Sequence, residues 1–286
     1  MKVSIAMATY NGEQYLQEQL DSFIKQTRQP DELVVTDDCS TDATPELLEA
    51  FAKTAPFDVI FRRNDRSHGY CGNFNQALTR TSGDLVFLSD QDDVWLPEKI
   101  EHLGAAFKDN PDALVLMNDA ALTHADLSET GLTKLGQIKS AGLSETRFVM
   151  GCCAAVRRDL LDLCLPIPEG FPAHDKWVVG IADGMYRKRV IHEVLQYYRR
   201  HGENESQWIV NRTSRVSRQE VQWRQWKGHL ASVLGKTRET ESRQLAAQSS
   251  YALLRQWAQG AVQDAPAAYT SDLRHFLEQI DRRVNM

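Results

Sequence analysis

Apolar residues in the first half of the chain alternate between short continuous runs and stretches with helical spacing. The short runs contain β-branched residues and predict buried strands at 2–8, 31–36, 58–61, 85–88 and 114–117. Apolar residues that recur every three or four positions predict helices over 13–26, from Thr44, over 73–80 and from Pro97. Strands that alternate with helices in this way predict an α/β fold, with a mostly parallel sheet that helices cover on both faces.

The pattern changes in the second half. Residues 119–146 are polar without a clear period, which predicts a long irregular connection. A buried strand is predicted at 148–156, a helix at 158–164 and another strand at 190–198. From residue 213 onward, apolar residues recur at helical spacing. We therefore expect two parts, an α/β domain over 1–212 and a helical C-terminal extension over 213–286.

Charge and composition exclude several classes of protein. A formal net charge of -6 and a pI near 5.8 argue against a nucleic-acid binder. No run of 18 apolar residues predicts a transmembrane helix, and the first residues do not resemble a signal peptide. The five cysteines are an odd number, which disfavours a disulfide framework. These features lead us to expect a cytoplasmic protein.

The strongest candidate for chemistry is the segment 89–95, Ser-Asp-Gln-Asp-Asp-Val-Trp, which directly follows a predicted strand. Its carboxylates, Asp90, Asp92 and Asp93, lie where open α/β sheets bind ligands. Carboxylates near substrate phosphates are typical ligands of Mg²⁺, and Mn²⁺ accepts a similar set. The alternative is a solvated acidic turn that caps the helix at Pro97, a role that Asp93 alone could fill.

Two further polar segments follow the first two predicted strands. Residues 37–42 include Asp38, whose carboxylate can accept a hydrogen bond from a base or a ribose. Helix capping is the alternative there, and it accounts for Asp42 and Thr44 but not for Asp38. Residues 9–13 include Tyr10, an aromatic ring that can face a nucleobase. The alternative for this segment is a polar turn with Gly12 in a special backbone conformation.

Taken in series, the segments 8–12, 34–42 and 90–97 resemble family 2 glycosyltransferases, which are inverting enzymes of the GT-A fold. The resemblance covers about residues 2–210. The residue sequence of 89–95, together with His-Gly-Glu-Asn-Glu-Ser at 201–206, is similar to that of the bacterial rhamnosyltransferase-like branch. The resemblance implies a nucleoside-diphosphate sugar donor, either dTDP-rhamnose or a UDP-sugar. The implied acceptor is a growing cell-surface glycan, such as O-antigen or capsule, free or linked to a lipid.

The resemblance also implies roles for individual residues. Tyr10 and Asp38 would hold the nucleobase, and the other implied substrate-binding residues are Thr9, Asn11, Asn73, Asp90 and Asp93. Asp92 would bind Mn²⁺ or Mg²⁺ directly, together with Asp90, and the metal would offset the charge of the leaving diphosphate. His201 would reach the metal or the diphosphate, although a polar surface histidine is the alternative.

An inverting transfer needs a general base, and the resemblance implies an acid near the start of a helix after the long connection. Asp175, in the segment Phe-Pro-Ala-His-Asp-Lys-Trp at 171–177, fits this place. The alternative is an acid that complements the helix dipole. The family often has Glu-Asp here, and His174 replaces the glutamate.

Residues 199–227 hold seven Lys/Arg against three Asp/Glu, a local net charge of +4, with tryptophans interleaved. This composition is compatible with contact to an anionic membrane at the inner face of the cell. The favoured alternative is that Trp208, Trp223 and Trp226 pack on the catalytic domain. Two other functions stay open at this point. One is a sugar-phosphate nucleotidyltransferase, and the other is a nucleotide-sugar-binding protein without catalytic activity.

Overall fold

The computed structural model describes residues 1–202, 204, 206, 208–233 and 238–284, and its first half alternates strands with helices. The strands are β1 (Val3–Thr9), β2 (Glu32–Asp37), β3 (Asp58–Arg63), β4 (Leu85–Ser89), β5 (Val94–Trp95) and β6 (Val115–Thr123). The helices are α1 (Leu16–Ile24), α2 (Thr44–Ala52), α3 (Gly69–Leu78) and α4 (Lys99–Asp109). The predicted α/β class is confirmed.

The second half departs from the prediction at two places. Its elements are β7 (Glu129–Thr133), α5 (Lys134–Ser140), β8 (Ala154–Arg157), α6 (Arg158–Cys164), α7 (His174–Gly184) and β9 (Lys188–Arg199). The irregular connection expected at 119–146 is wrong, because β6 runs on to Thr123 and β7 pairs with it antiparallel. β7 is half-exposed and has no apolar pattern that could reveal it. The strand expected at 148–156 shortens to β8, since a 3₁₀ turn occupies Gly151–Cys153.

The described strands form one sheet in the order β3-β2-β1-β4-β8-β6-β9-β5, with β7 beside β6. β1 to β4 are parallel, β8 runs antiparallel between β4 and β6, and β9 is parallel to β6. The carboxyl ends of β1, β2, β4, β6 and β9 therefore lie at one edge of the sheet. Loops at this edge carry the predicted site.

Both faces of the sheet are buried under helices. Ile5 and Leu33 belong to one apolar layer with residues of α1 and α4, whereas Ala6 and Val34 belong to the other with residues of α3, α6 and α7. Successive side chains of a strand point to opposite faces, so a strand that is buried on both sides is a continuous apolar run. This is why the runs at 2–8 and 31–36 identify strands without an alternating pattern.

The C-terminal extension consists of α8 (Arg218–Val233), α9 (Arg238–Asp264) and α10 (Ala267–Val284). α10 packs on α7 so closely that a Cβ at Gly184 would lie 2.0 Å from the Phe276 ring. Trp257 of α9 meets Trp177 of α7 with ring centroids 5.5 Å apart. The helical character of the extension is confirmed, while the boundary at 212/213 stays a prediction. None of the described helices has the length and apolar character to cross a bilayer.

The tryptophans of the basic stretch behave differently from one another. Trp208 is partly buried, and the Lys134 ammonium lies 4.8 Å from its ring centroid. Trp223 and Trp226 are 54% and 50% exposed and stack on each other at 5.0 Å. The expectation that all three pack on the catalytic domain is therefore wrong for the two on α8.

Candidate active site

The loops that follow β1 and β2 are locked together by Asn11. Its backbone N–H donates to Ser40 Oγ at 2.8 Å, and its Oδ1 accepts from the Thr41 backbone N–H at 2.8 Å. Asn11 has a φ of 45°, in the left-handed region that asparagine tolerates better than most residues. The Asn11 side chain, predicted to line a nucleotide pocket, thus joins the two loops.

Gln91 joins the loop after β1 to the acidic loop after β4. Its side-chain amide accepts from Tyr10 N at 2.8 Å and donates to Tyr10 O at 2.9 Å. A Cβ at Gly12 would lie only 2.4 Å from Gln91 Oε1. Glycine is required there by this close approach, so the expected special backbone conformation belongs to Asn11 and not to Gly12. The Tyr10 side chain remains 57% exposed and available to a ligand.

Thr9 and Asn73 are buried beneath these loops. The Thr9 hydroxyl donates to Asp37 Oδ1 at 3.0 Å, and Asn73 Nδ2 donates to the Thr9 carbonyl at 3.0 Å. Asn73 Oδ1 accepts from Asn64 Nδ2 at 3.0 Å. Both residues therefore stabilise the loops through these hydrogen bonds. Their contact with a nucleotide stays a prediction.

Asp38 holds the segment 64–69 against the end of β2. Its carboxylate accepts from Asn64 Nδ2 at 2.9 Å, the Ser67 hydroxyl at 2.7 Å, and the backbone N–H groups of His68 and Gly69 at 2.8 and 2.9 Å. Burial raises the pKa of Asp38, but these hydrogen bonds outweigh it, so the pKa is lowered. The carboxylate is therefore ionised and already makes four hydrogen bonds.

The acidic loop after β4 buries carboxyl groups. One oxygen each of Asp90 and Asp93 lies within 4.8 Å of the other and of Cys152 Sγ. Burial, followed by the neighbouring Asp92 charge, raises the pKa of both Asp90 and Asp93. Asp93 is completely buried and accepts a 3.1 Å hydrogen bond from the Arg199 backbone N–H. This contact anchors the loop, and a role for Asp93 in substrate binding stays a prediction.

Asp92 contacts His201, although more than one hundred residues of sequence separate the two. Asp92 Oδ2 lies 2.7 Å from His201 Nε2 and 3.0 Å from Asn204 Nδ2. The expectation of a free surface histidine does not hold, because His201 is one of three side chains that share this site. Glu203 and Glu205 of the same segment lie outside the described residues.

The residues present fit a divalent cation. Burial first, and then the charge of the neighbouring Asp92, raise the pKa of Asp90 to about 7. Carboxylate oxygens are the ligands that Mg²⁺ and Mn²⁺ prefer, and an imidazole nitrogen from His201 completes a mixed set. A cation among these groups would relieve the repulsion. His201 contacts Asp92 directly and Asp90 stands two residues before Asp92, so these three residues could hold it, whereas the described ligand atoms that already lie within 4.8 Å of one another are those of Asp90, Asp93 and Cys152.

Asp175 lies in the first turn of α7 and is half-buried. Its negative charge is among those that raise the pKa of Asp90, so it lies near the acidic loop. His174, beside it in sequence, is 5% exposed and stacks on Phe74 with ring centroids 3.7 Å apart. Burial lowers the pKa of His174 to about 4, so the imidazole is neutral at physiological pH.

Two buried cations at the site were missed by sequence reasoning. Lys99 is fully buried, donates to the Cys152 carbonyl at 2.8 Å and lies 3.9 Å from the Trp95 ring centroid. Arg199 donates to the carbonyls of Asp92 at 2.8 Å and Ala125 at 2.6 Å. Neither residue stands in a recognisable motif. Only their burial, which is a tertiary property, sets them apart from surface cations.

The sequence is similar to a protein-family model and to proteins of other organisms. The model "Glycosyl transferase family 2" matches residues 4–164, more than half of the chain. An uncharacterized glycosyltransferase of Nostoc sp. is 28% identical over 233 residues, which cover 75% of this chain and 69% of the relative. The dTDP-rhamnosyl transferase RfbG of Shigella flexneri is 35% identical over 100 residues, covering 34% and 35%. The chain thus aligns with only about a third of this second relative.

Solved structures share the fold at low sequence identity. Residues 1–349 of TarS from S. aureus, in complex with UDP-GlcNAc, match with a TM-score of 0.61 at 19% identity, covering 99% of this chain and 72% of that one. The mannosyltransferase PcManGT from Pyrobaculum calidifontis, in complex with GDP-Man and Mn²⁺, matches with a TM-score of 0.53 at 18% identity, covering 98% and 73%.

Proposed function

The chain belongs to glycosyl transferase family 2 and is a glycosyltransferase, and we propose that it moves a sugar from a nucleoside diphosphate onto a cell-surface glycan with inversion at the anomeric carbon. The donor would be dTDP-rhamnose or a UDP-sugar. Similarity to the dTDP-rhamnosyl transferase RfbG supports the first, and the fold shared with TarS, solved with UDP-GlcNAc, supports the second. The acceptor would be a glycan of the O-antigen or capsule type, free or lipid-linked.

One observation carries this proposal. Asp90 and Asp92 follow the carboxyl end of β4, His201 contacts Asp92, and the charge of Asp175 acts on Asp90. Open α/β sheets bind ligands at this edge, and the loops with Tyr10 and Asp38 lie at it too. A divalent cation held by Asp90, Asp92 and His201 would supply positive charge opposite the leaving diphosphate.

The nucleotide would lie across the ends of β1 and β2. The exposed Tyr10 ring can stack on the base, and Asn11 shapes the pocket through its contacts with the loop after β2. Asp38 remains our candidate acceptor for the ring N–H of the base. All described hydrogen-bond partners of the Asp38 carboxylate lie in 64–69. Binding of the nucleotide sugar would therefore replace one of those hydrogen bonds with a hydrogen bond to the base.

Asp175 would act as the general base. The acceptor hydroxyl forms a bond to the anomeric carbon while the bond from that carbon to the diphosphate oxygen breaks. The hydroxyl proton passes to the Asp175 carboxylate, and the bonding electron pair leaves with the diphosphate. α7 holds this carboxylate on a rigid element, and Trp177, fully buried in the same helix, anchors it.

A thermal-shift and turnover experiment tests the proposal. UDP, dTDP and GDP, each with Mn²⁺, are added to wild type, to Asp92→Asn and to the control Asp112→Asn, which alters an exposed acid paired with Arg189. We expect one nucleotide to raise the melting temperature of wild type and control but not of Asp92→Asn, since only the folded state binds it.

The same preparations separate the alternatives. Release of nucleoside diphosphate from a nucleotide sugar, lost in EDTA and in Asp92→Asn, supports the proposal, whereas full activity in EDTA refutes the metal. Donor binding without turnover on any glycan acceptor would indicate a nucleotide-sugar-binding protein. Formation of a nucleotide sugar from a nucleoside triphosphate and a sugar phosphate would indicate a nucleotidyltransferase.

We further propose that α8 contacts the inner face of an anionic membrane. Trp223 and Trp226 expose a stacked aromatic pair, and Lys227 lies 5.1 Å from the Trp223 ring centroid. Aromatic rings with adjacent cations suit the headgroup region of an anionic bilayer. This location would bring the enzyme to lipid-linked acceptors in the cytoplasm.

A further inference from the structure

A cavity of about 340 Å³ lies between α7, α9 and α10. Its floor is apolar and contains Phe171, Leu254, Phe276 and Ile280. Phe276 and Ile280 are buried parts of the core, so this floor is preformed by packing. A cavity of this size and lining is within the range of small-molecule sites.

Its rim is cationic. Lys176 and Arg283 both line the cavity and are exposed. The Lys176 ammonium makes no hydrogen bond or ion pair with the described residues, although its backbone N–H donates to Asp175 Oδ1 at 2.7 Å. Arg283 has one long contact, 3.4 Å to the Tyr251 hydroxyl. Asp183 is the acidic residue among the described lining side chains, and Lys188 already pairs with it at 2.8 Å. Two positive charges at the rim are thus left for an anion.

We propose that this cavity binds a phosphorylated lipid, with its phosphate between Lys176 and Arg283 and its hydrocarbon on the apolar floor. Cations that lack a carboxylate partner favour a phosphate, and a floor of aromatic and aliphatic side chains favours a chain over a sugar. The inference deepens the proposed function and rests on it for its meaning, because such a lipid would be the carrier of the glycan acceptor.

The position of the cavity fits this role. Lys176 directly follows Asp175, the candidate base, so their Cα atoms are about 3.8 Å apart, although their side chains leave α7 in different directions. A phosphate held by Lys176 would bring the first sugars that it carries to the turn of α7 that holds the Asp175 carboxylate.

Binding of farnesyl diphosphate to the full chain tests the proposal by calorimetry. The buffer is free of divalent metal, so that the diphosphate does not bind with a cation at Asp92. We expect farnesyl diphosphate to bind at least tenfold more tightly than either farnesol or inorganic pyrophosphate. Equal binding of farnesol would show an apolar site only, and equal binding of pyrophosphate would show an anion site only. Either result overturns the proposal.

Four variants locate the binding. The variants Lys176→Ala and Arg283→Ala should each weaken the binding of farnesyl diphosphate about tenfold. This is the order of magnitude expected for the loss of a charge-assisted hydrogen bond. Arg282→Ala is the matched control, because it removes a neighbouring exposed arginine that does not line the cavity. Gly180→Leu should abolish binding. A Cβ at Gly180 meets nothing within 4 Å, so the larger side chain fills the cavity, and leucine favours the helix.

Two outcomes of the variant series overturn the proposal. One is that Gly180→Leu, folded and with wild-type stability, still binds farnesyl diphosphate. The other is that Arg282→Ala weakens binding as much as Arg283→Ala does. Donor binding in the presence of Mn²⁺ is measured on the same variants. If the donor binds and is turned over while farnesyl diphosphate does not bind, the proposed function stands and only the lipid site fails.

Discussion

Titration of the His174 side chain should change the stability of this protein below pH 6.5. This side chain is buried, stacked on Phe74, and neither ring nitrogen has a hydrogen-bond partner within the described part of the chain. Burial lowers its pKa to about 4, whereas an unfolded histidine titrates near 6.5. The unfolded state therefore binds the proton first as the pH falls.

This difference predicts a loss of stability between pH 6.5 and pH 4. Each unit of pKa difference corresponds to about 1.4 kcal/mol, so the free energy of unfolding should fall by about 2 kcal/mol at pH 5 from this residue alone. Below pH 4 both states are protonated and the loss stops, at about 3 kcal/mol in total. Above pH 6.5 both states are neutral, so this residue adds no pH dependence.

The comparison of wild type with His174→Leu isolates this effect. Leucine is apolar and of similar size, and no described hydrogen bond is lost, so the variant should be at least as stable as wild type at pH 7.5. Urea unfolding at pH 7.5, 6 and 5 measures both proteins, with the exposed His192→Gln as control. We expect the free energy of unfolding of the variant, measured relative to that of wild type, to increase by about 2 kcal/mol between pH 7.5 and pH 5. A constant difference across these pH values would refute a buried, neutral His174.

Three further outcomes are expected. Asp175→Asn should lower turnover by about 10²–10⁴-fold and change donor affinity little, measured by single-turnover transfer and calorimetry. Arg199→Met should lower the free energy of unfolding by about 2–3 kcal/mol in urea, because the carbonyls of Asp92 and Ala125 lose a charged donor. Replacing both Trp223 and Trp226 with alanine should weaken sedimentation with anionic vesicles about tenfold, and wild-type binding should fall as salt rises.

Two of these predictions have a control variant, and each of the three has an outcome that would contradict it. Glu169→Gln changes an exposed acid close to α7 in sequence and should transfer at the wild-type rate, whereas wild-type turnover of Asp175→Asn would show that the base is another group. Unchanged stability of Arg199→Met would show that its contacts to the acidic loop contribute little. Tyr186→Ala removes an exposed aromatic ring elsewhere and should leave vesicle binding unchanged. Failure of wild type to sediment even at low salt would refute the membrane contact.

The fold of the first hundred residues follows from the sequence alone. Parallel strands that are buried on both faces must be continuous apolar runs, and those at 2–8, 31–36 and 85–88 are β1, β2 and β4 in the structure. Because such strands place their carboxyl ends at one edge, their parallel pairing is enough to place the loops with Tyr10, Asp38 and Asp90 at the same edge of the sheet.

Only the tertiary structure decided what these residues contact. Four hydrogen-bond donors from 64–69 donate to the Asp38 carboxylate. His201 contacts Asp92 because β9 pairs parallel with β6 and ends at the same edge of the sheet as β4. Such pairings join residues far apart in sequence, and no local pattern encodes them. The sequence analysis missed β7, Lys99 and Arg199 for the same reason. A polar strand differs from a polar loop, and a buried cation from an exposed cation, only in the residues that surround it in the fold. Local periodicity records which side of an element is apolar, whereas contact between distant elements depends on the register of the whole sheet.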